Sequence, residues 1–413
     1  LNQTATLYRI IYLLPVMMIL LSFCYNTPAE IAKGMWGILL ANDVFLTDYI
    51  KVINVGSALF NSGLLTLIIA SLLRFLNLKP TGLLISALFV TAGFSFVGKN
   101  VYNIWPFYIG GFLYAKVKGM DFRNVIATSI FTASLAPIVS IIVFLMDNSL
   151  KGLLVGYAVG IFIGYIMPAI ANHTLILHSG YTLYNTAVAT GFVGAVANSV
   201  FRAFNYQVTG DGVHSSTSYI ALTVLFAVYF AVLIYIGFVH KKENDRYLNI
   251  LYYPGRLVTD FTRLTSYSST LINMGLMGLV SMAYIFLMGG VLCGATIAGM
   301  LTVVGFASFG IHPKNSIPVM IGVTLASKFL AVDVHHATII TIGLFSTGLC
   351  PLTGRYGTLV GIFMGMAHLH VTLSTASWHA GMNLYNNGFS SGIVAMLAIP
   401  VLEALNIPTV KRR

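Results

Sequence analysis

The chain has 413 residues, 57% of them hydrophobic and only 8% charged. Soluble globular domains carry about a quarter charged residues, so these side chains cannot clothe a water-facing surface, and the chain reads as an integral membrane protein. The net charge of +11 does not imply nucleic acid. No basic run is interleaved with aromatics on a soluble segment, and Lys and Arg of multi-pass proteins collect in the loops that stay inside.

The first apolar stretch runs from Ile10 to Phe23 after Arg9. The bulky Phe23 before Cys24 argues against lipoprotein processing, and the stretch reads as the first span rather than a signal peptide. The first half then continues with apolar runs, giving segments at 7–25, 52–75, 80–97, 101–117, 123–146, 152–175 and 181–205. The stretch from Pro28 to Asn42 reads as interfacial. The second half gives 218–239, 264–288, 290–309, 314–331, 336–350, 356–373 and 381–405, after one long polar connection from His240 to Tyr253. A crossing needs about 20 residues, so the shorter runs, notably 101–117 and 336–350, read as re-entrant or broken helices. The expected fold is an all-α polytopic bundle of about fourteen membrane segments. Cys24, Cys293 and Cys350 lie far apart and supply neither a metal-ligand spacing nor a disulfide framework, and no cofactor is expected.

The two halves repeat. A shift of 212 residues (269 − 57) aligns Ser57–Asp121 with Ser269–Asp333 without a gap, and 18 of the 65 positions are identical. The shared residues include Asn61/Asn273, Gly93/Gly305, Asn103/Asn315, Pro106/Pro318, Lys116/Lys328 and Asp121/Asp333, and just upstream Thr47-Asp48 matches Thr259-Asp260. After an eleven-residue deletion the shift becomes 201, which pairs His178 with His379 and Leu183-Tyr184-Asn185 with Leu384-Tyr385-Asn386. Shared hydrophobicity would align Leu with Ile; it would not align Asn, Pro, Lys, Asp and His. The chain therefore divides into repeats at 1–207 and 208–413.

Seven segments per repeat is odd, and merging two short ones into a re-entrant hairpin leaves five, so the second repeat starts on the opposite face. Charge agrees. With the N-terminus inside, inside loops hold 16 Lys and Arg and outside loops hold 6, which puts both termini in the cytoplasm. The connection carrying Arg74 and Lys79 is basic, whereas its counterpart at Gly289-Gly290 has no charge.

Inverted repeats are the usual frame of secondary transporters, whose solute sites lie near midplane where broken helices expose backbone dipoles. The candidate solute-binding element is the stretch 98–106 with its partner 310–318. In each, an Asn follows a Gly by five residues and a Pro follows the Asn by three. Lys99, Asn100, Asn103, Pro106, His312, Asn315 and Pro318 are its candidate residues. Each Asn either caps the next helix, with the Pro in its first turn, or presents its amide to a solute. The second element is His178, Tyr184 and Asn185 with His379, Tyr385 and Asn386. Such groups are costly in a bilayer unless they pair or line a pathway, so they either bind solute or pin two helices together. Asp121 and Asp333 read as helix caps, while Asp333 with His335 and His336 gathers titratable groups suited to proton coupling, Na⁺ being the other candidate ion. Arg355, in a Gly-rich turn, is an anion-binding candidate or a positive-inside anchor. His368 and His370 do not share a helix face, so no metal site is expected.

The segments Ile31-Ala-Lys-Gly34, Leu46-Thr-Asp-Tyr49, Asn61-Ser-Gly63, Gly93-Phe-Ser-Phe-Val-Gly-Lys-Asn100 and Asn103-Ile-Trp-Pro106 resemble a family of uncharacterised bacterial multi-span membrane proteins. That family is defined as a duplicated domain of unknown function. The resemblance covers most of the chain and transfers no functional residue. The paired Asn-x-x-Pro stretches are more faintly similar to the urea-transporter type of channel, a likeness at the level of fold. The expectation is a non-enzymatic transporter of a small polar or ionic solute. A facilitative channel is the alternative within transport, and a membrane-embedded enzyme or structural subunit the alternative outside it. Membrane lipids are the expected surroundings, and homo-oligomerisation stays open.

Overall fold

The computed structural model describes residues 3–41, 43, 47–206, 212–241, 245–330, 333 and 335–410, and every regular element among them is helical. The first repeat contains α1 (Gln3–Tyr25), α2 (Pro28–Leu40), the single turn α3 (Tyr49–Val52), α4 (Val55–Phe75) and α5 (Gly82–Phe94). It continues with α6 (Trp105–Val117), α7 (Ile126–Thr132), α8 (Ala136–Leu145), α9 (Leu150–Leu177) and α10 (Asn185–Ala203). The second contains α11 (Ile220–Val239), the single turn α12 (Phe261–Leu264), α13 (Tyr267–Leu287), α14 (Gly294–Phe306) and α15 (Pro313–Phe329). It ends with α16 (Ala337–Phe345), α17 (Cys350–Tyr356), α18 (Thr358–His379) and α19 (Asn386–Ala404).

Among the described residues, nine helical stretches are long and apolar enough to cross a membrane. The apolar run 80–97 is shorter as a helix than as a sequence: α5 has 13 residues, as do α6 and α14. At 1.5 Å per residue each spans about 20 Å, against a hydrocarbon core of about 30 Å. The run 336–350, by contrast, belongs to a full 20-residue span, Ala337–Tyr356. Its α16 and α17 are joined by a 3₁₀ turn at Ser346–Leu349, as α7 and α8 are at Ala133–Leu135. The cause is a proline: Pro137 and Pro351 open α8 and α17, and a proline ring collides with the carbonyl four residues back, so the helix tightens ahead of it.

The central pair, α5 and α14, shows how the repeats are related. Gly82 lies against Ser308 and Gly93 against Ala298, while Gly294 lies against Phe96 and Gly305 against Ser86. Residue numbers rise on one helix as they fall on the other, so these equivalent helices are antiparallel. A rotation that exchanges two antiparallel helices has its axis perpendicular to both. For helices near the membrane normal that axis lies in the membrane plane, which is inverted topology. The contact needs glycine: a Cβ on Gly93 would sit 2.8 Å from the Ala298 Cα, so the small residue admits close backbone approach. A second such pair, α10 with α19, brings Ala187 onto Gly388, Val188 onto Gly392 and Phe389 onto Gly191. Outside this core, α9 and α18 turn Phe162 and Phe363 outward, as helices facing lipid do.

Candidate functional site

α5 and α14 each end at a break held by one side chain from the same repeat. Asn61 on α4 donates through Nδ2 to the carbonyls of Ser95 (2.7 Å) and Lys99 (2.8 Å). Asn273 on α13 does the same for Ala307 and Ile311, both at 2.7 Å. A buried carbonyl left unpaired costs about 1–3 kcal/mol, so these two amides carry much of what lets the chain leave the helix inside the protein. Asn103 and Asn315 close the loop: their Nδ2 groups donate to the Gly98 and Gly310 carbonyls at 2.9 Å. Their Oδ1 atoms accept from the backbone of Asn100 and His312, also at 2.9 Å. Lys99, Asn100, Asn103, His312 and Asn315 of the two predicted stretches are buried, and the asparagines hold the breaks rather than standing free.

The entries to α5 and α14 are capped across the repeat boundary. The Asp260 carboxylate accepts from the Gly82 N–H at 3.2 Å and from Thr262 at 3.0 Å. Its equivalent Asp48 accepts from Gly294, Ile50 and Ser215. A carboxylate at a helix N-terminus satisfies free amides and favours the dipole; here each repeat supplies that group to the other.

The breaks differ in one respect. Buried Asp43, which the repeat comparison did not single out, accepts from the Tyr49 hydroxyl, from Asn100 and Asn103 Nδ2 (3.2 Å each) and from Ser140 Oγ (2.7 Å). Its equivalent is Gly255, and the two share a left-handed backbone, φ 58° and 81°. In the second repeat His312 and Asn315 meet the backbone carbonyls of Tyr253 and Pro254 instead, at 2.9 and 3.5 Å. Pro106 sits in the first turn of α6 as predicted, but α15 starts earlier, capped by the His312 ring with Pro313 in its first turn, so Pro318 lies inside the helix.

Lys99 is fully buried. Its Nζ donates to the Ile130 carbonyl at 3.4 Å and lies 5.5 Å from the centre of the Phe94 ring; among the described residues no carboxylate forms an ion pair with it. Tyr385 stacks edge-on against the same Phe94 ring at 5.2 Å. Its hydroxyl has no hydrogen-bond partner among the described residues, and neither does the Ser134 hydroxyl, whose backbone carbonyl receives the Leu384 N–H. The equivalent Tyr184 is satisfied by Thr347 Oγ1 at 3.2 Å. The two tyrosine rings stand 5.1 Å apart between the repeats, enclosed by Phe94, Phe306 and Phe345.

A cavity of about 170 Å³ reaches this pair. Its floor is buried Tyr184, Phe306 and Tyr385, its mouth is exposed Leu83 and Val258, and Asn185 lines its wall. Both repeats line it, and its volume is below that of pockets for drug-sized ligands, so it suits a small solute.

The remaining candidates divide. His178 and Asn185 bond at 3.0 Å, and Asn185 Nδ2 donates to the Ala171 carbonyl, tying α9 to α10. His379 Nδ1 meets Asn386 Oδ1 at 2.7 Å and its Nε2 meets the Gly191 carbonyl at 2.9 Å, tying α18 to α19 and across to α10. Asp333, His335 and His336 are exposed and away from the centre: Asp333 accepts from the His335 N–H, His335 meets the Met288 carbonyl, and His336 caps α16. Arg355 lines a second cavity together with His312, Lys314 and Asn315.

A family model described as "Protein of unknown function (DUF1576)" matches residues 27–203 and, a second time, residues 225–404. No curated protein and no solved structure matches the chain.

Proposed function

The chain belongs to the DUF1576 family and carries its domain twice, and on that premise we propose that it is a membrane transporter, a secondary carrier for a small polar or ionic solute. The observation carrying this reading is the cavity between the inverted repeats that ends on Tyr184 and Tyr385, with Lys99 on the Phe94 ring that Tyr385 also packs against and Ser134 joined to the neighbouring Leu384. An amine and two hydroxyls with unused donors, buried in apolar surroundings, are costly without a partner. A passing solute bearing oxygen acceptors would supply one. In this reading the aromatic cluster is the barrier, and exchange of the two inverted repeats opens the opposite face. A closed aromatic floor favours alternating access over a facilitative channel. Lys79, Arg256 and Arg263 flank the mouth's side of the chain, which favours a cytoplasmic opening in a bacterial inner membrane.

Purified protein in proteoliposomes, offered a panel of small solutes with and without proton or sodium gradients, tests the proposal. Saturable uptake of one solute class, lost in Tyr385→Ala, is the expected result. Absence of flux for every solute, or flux indifferent to Tyr385 and Lys99, would overturn it.

A further inference from the structure

One place departs from the pseudo-symmetry in a single electrostatic direction. Aligned on Pro137 and Pro351, which open α8 and α17, Val139 corresponds to Thr353 and Ile141 to Arg355. The packing confirms the register, since Gly160 lies against Val139 and its equivalent Gly361 against Thr353. With the 212-residue shift, Tyr102 corresponds to Lys314 and Asp43 to Gly255. The first repeat therefore holds Val139, Ile141, Tyr102 and its own carboxylate at this position. The second removes the carboxylate and adds Arg355 and Lys314.

The result is a cavity of about 260 Å³ lined by Arg355, Lys314, His312, Asn315, Thr353 and Thr358, with no acidic residue on its wall. Two helices begin there: α15 at Pro313, and α18 at Thr358, whose first amides have no side-chain cap. Free N-terminal amides with a helix dipole behind them favour an anion. A separate observation points the same way, in the two cations on the wall. No described carboxylate forms an ion pair with Arg355 or Lys314.

We propose that this cavity binds a phosphate group, either as a free phosphate or as the headgroup of an anionic lipid. Arg355 offers a planar fork suited to two phosphate oxygens, Lys314 a second positive charge, and the α18 amides the remaining donors. The combined charge suits a phosphate better than a single carboxylate. In the first repeat, Asp43 supplies an internal anion to the corresponding break. The site is independent of the solute pathway proposed above, so it stands or falls separately.

Thermal unfolding of the purified protein in detergent tests it, with inorganic phosphate compared against chloride at equal ionic strength. A second arm compares nanodiscs of phosphatidylglycerol with nanodiscs of phosphatidylcholine. Phosphate or phosphatidylglycerol should raise the wild-type Tm. Arg355→Gln should weaken the apparent affinity roughly tenfold or more, since charge-assisted hydrogen bonds are lost. Lys314→Gln separates binding from folding: the side chain is exposed, so without ligand the variant should melt as the wild type does, while its phosphate response falls. A response to phosphatidylglycerol alone assigns the site to a lipid headgroup, and a response to inorganic phosphate assigns it to the free anion. If neither ligand shifts the wild type, or Arg355→Gln responds as the wild type does, the proposal is overturned.

Discussion

Lys99 and Asp43 occupy the same break and stand in opposite positions. The carboxylate has four donors, whereas the amine has one carbonyl and an aromatic face. Replacing each should therefore act differently. Lys99→Met removes a buried amine with unused donors, so the protein should melt no lower than wild type while uptake falls roughly tenfold or more; a drop in Tm with uptake retained would assign Lys99 to structure alone. Asp43→Ala leaves Asn100, Asn103, Tyr49 and Ser140 without their shared acceptor and should cost about 3 kcal/mol or more, read as a lower denaturation midpoint. Lys99, Asn100 and Asn103 were legible in the sequence because polar residues in a repeated apolar stretch stand out. Asp43 was not: its equivalent is a glycine, and nothing local says that a loop carboxylate folds back onto a break nearly sixty residues on.

At the scale of elements, the repeated Asn-x-x-Pro spacing marked where the chain interrupts its helices, but not how short the flanking helices are. Apolar residues continue through Ser95-Phe96-Val97, so hydropathy runs past the end of α5. The stop is set by Asn61, which takes the carbonyls that another helical turn would have used. Asn61→Ala and Asn273→Ala should accordingly destabilise by similar amounts, about 1–3 kcal/mol each, measurable by chemical denaturation in detergent; a silent Asn273→Ala would show that the breaks are held differently. Gly93→Leu meets backbone rather than a movable side chain and should lower the yield of folded protein more sharply than either, read by monodispersity on size exclusion. The kinked spans were only partly legible. Pro137 and Pro351 predict a disturbance, but the run 336–350 looked too short because Gly354 and Arg355 end its apolar character before the helix ends.

For the whole molecule, inverted topology predicts that equivalent loops lie on opposite faces. Single cysteines at Lys79 and at its equivalent Val291, placed in a Cys24→Ser background, should react with a membrane-impermeant maleimide from opposite sides of sealed vesicles. Labelling from the same side would contradict the antiparallel reading of α5 and α14. The sequence by itself determined the membrane class and the duplication, because composition and identity at a constant shift are properties read along the chain. Only the tertiary structure decided that Asp48 and Asp260 cap helices of the opposite repeat, that Tyr184 and Tyr385 meet at a cavity floor, and that Arg355 joins Lys314 beside two helix starts. Each depends on which surfaces an inverted pair buries against one another. Symmetry fixes equivalent positions, while the contacts across the boundary are long-range and leave no pattern in either repeat read alone.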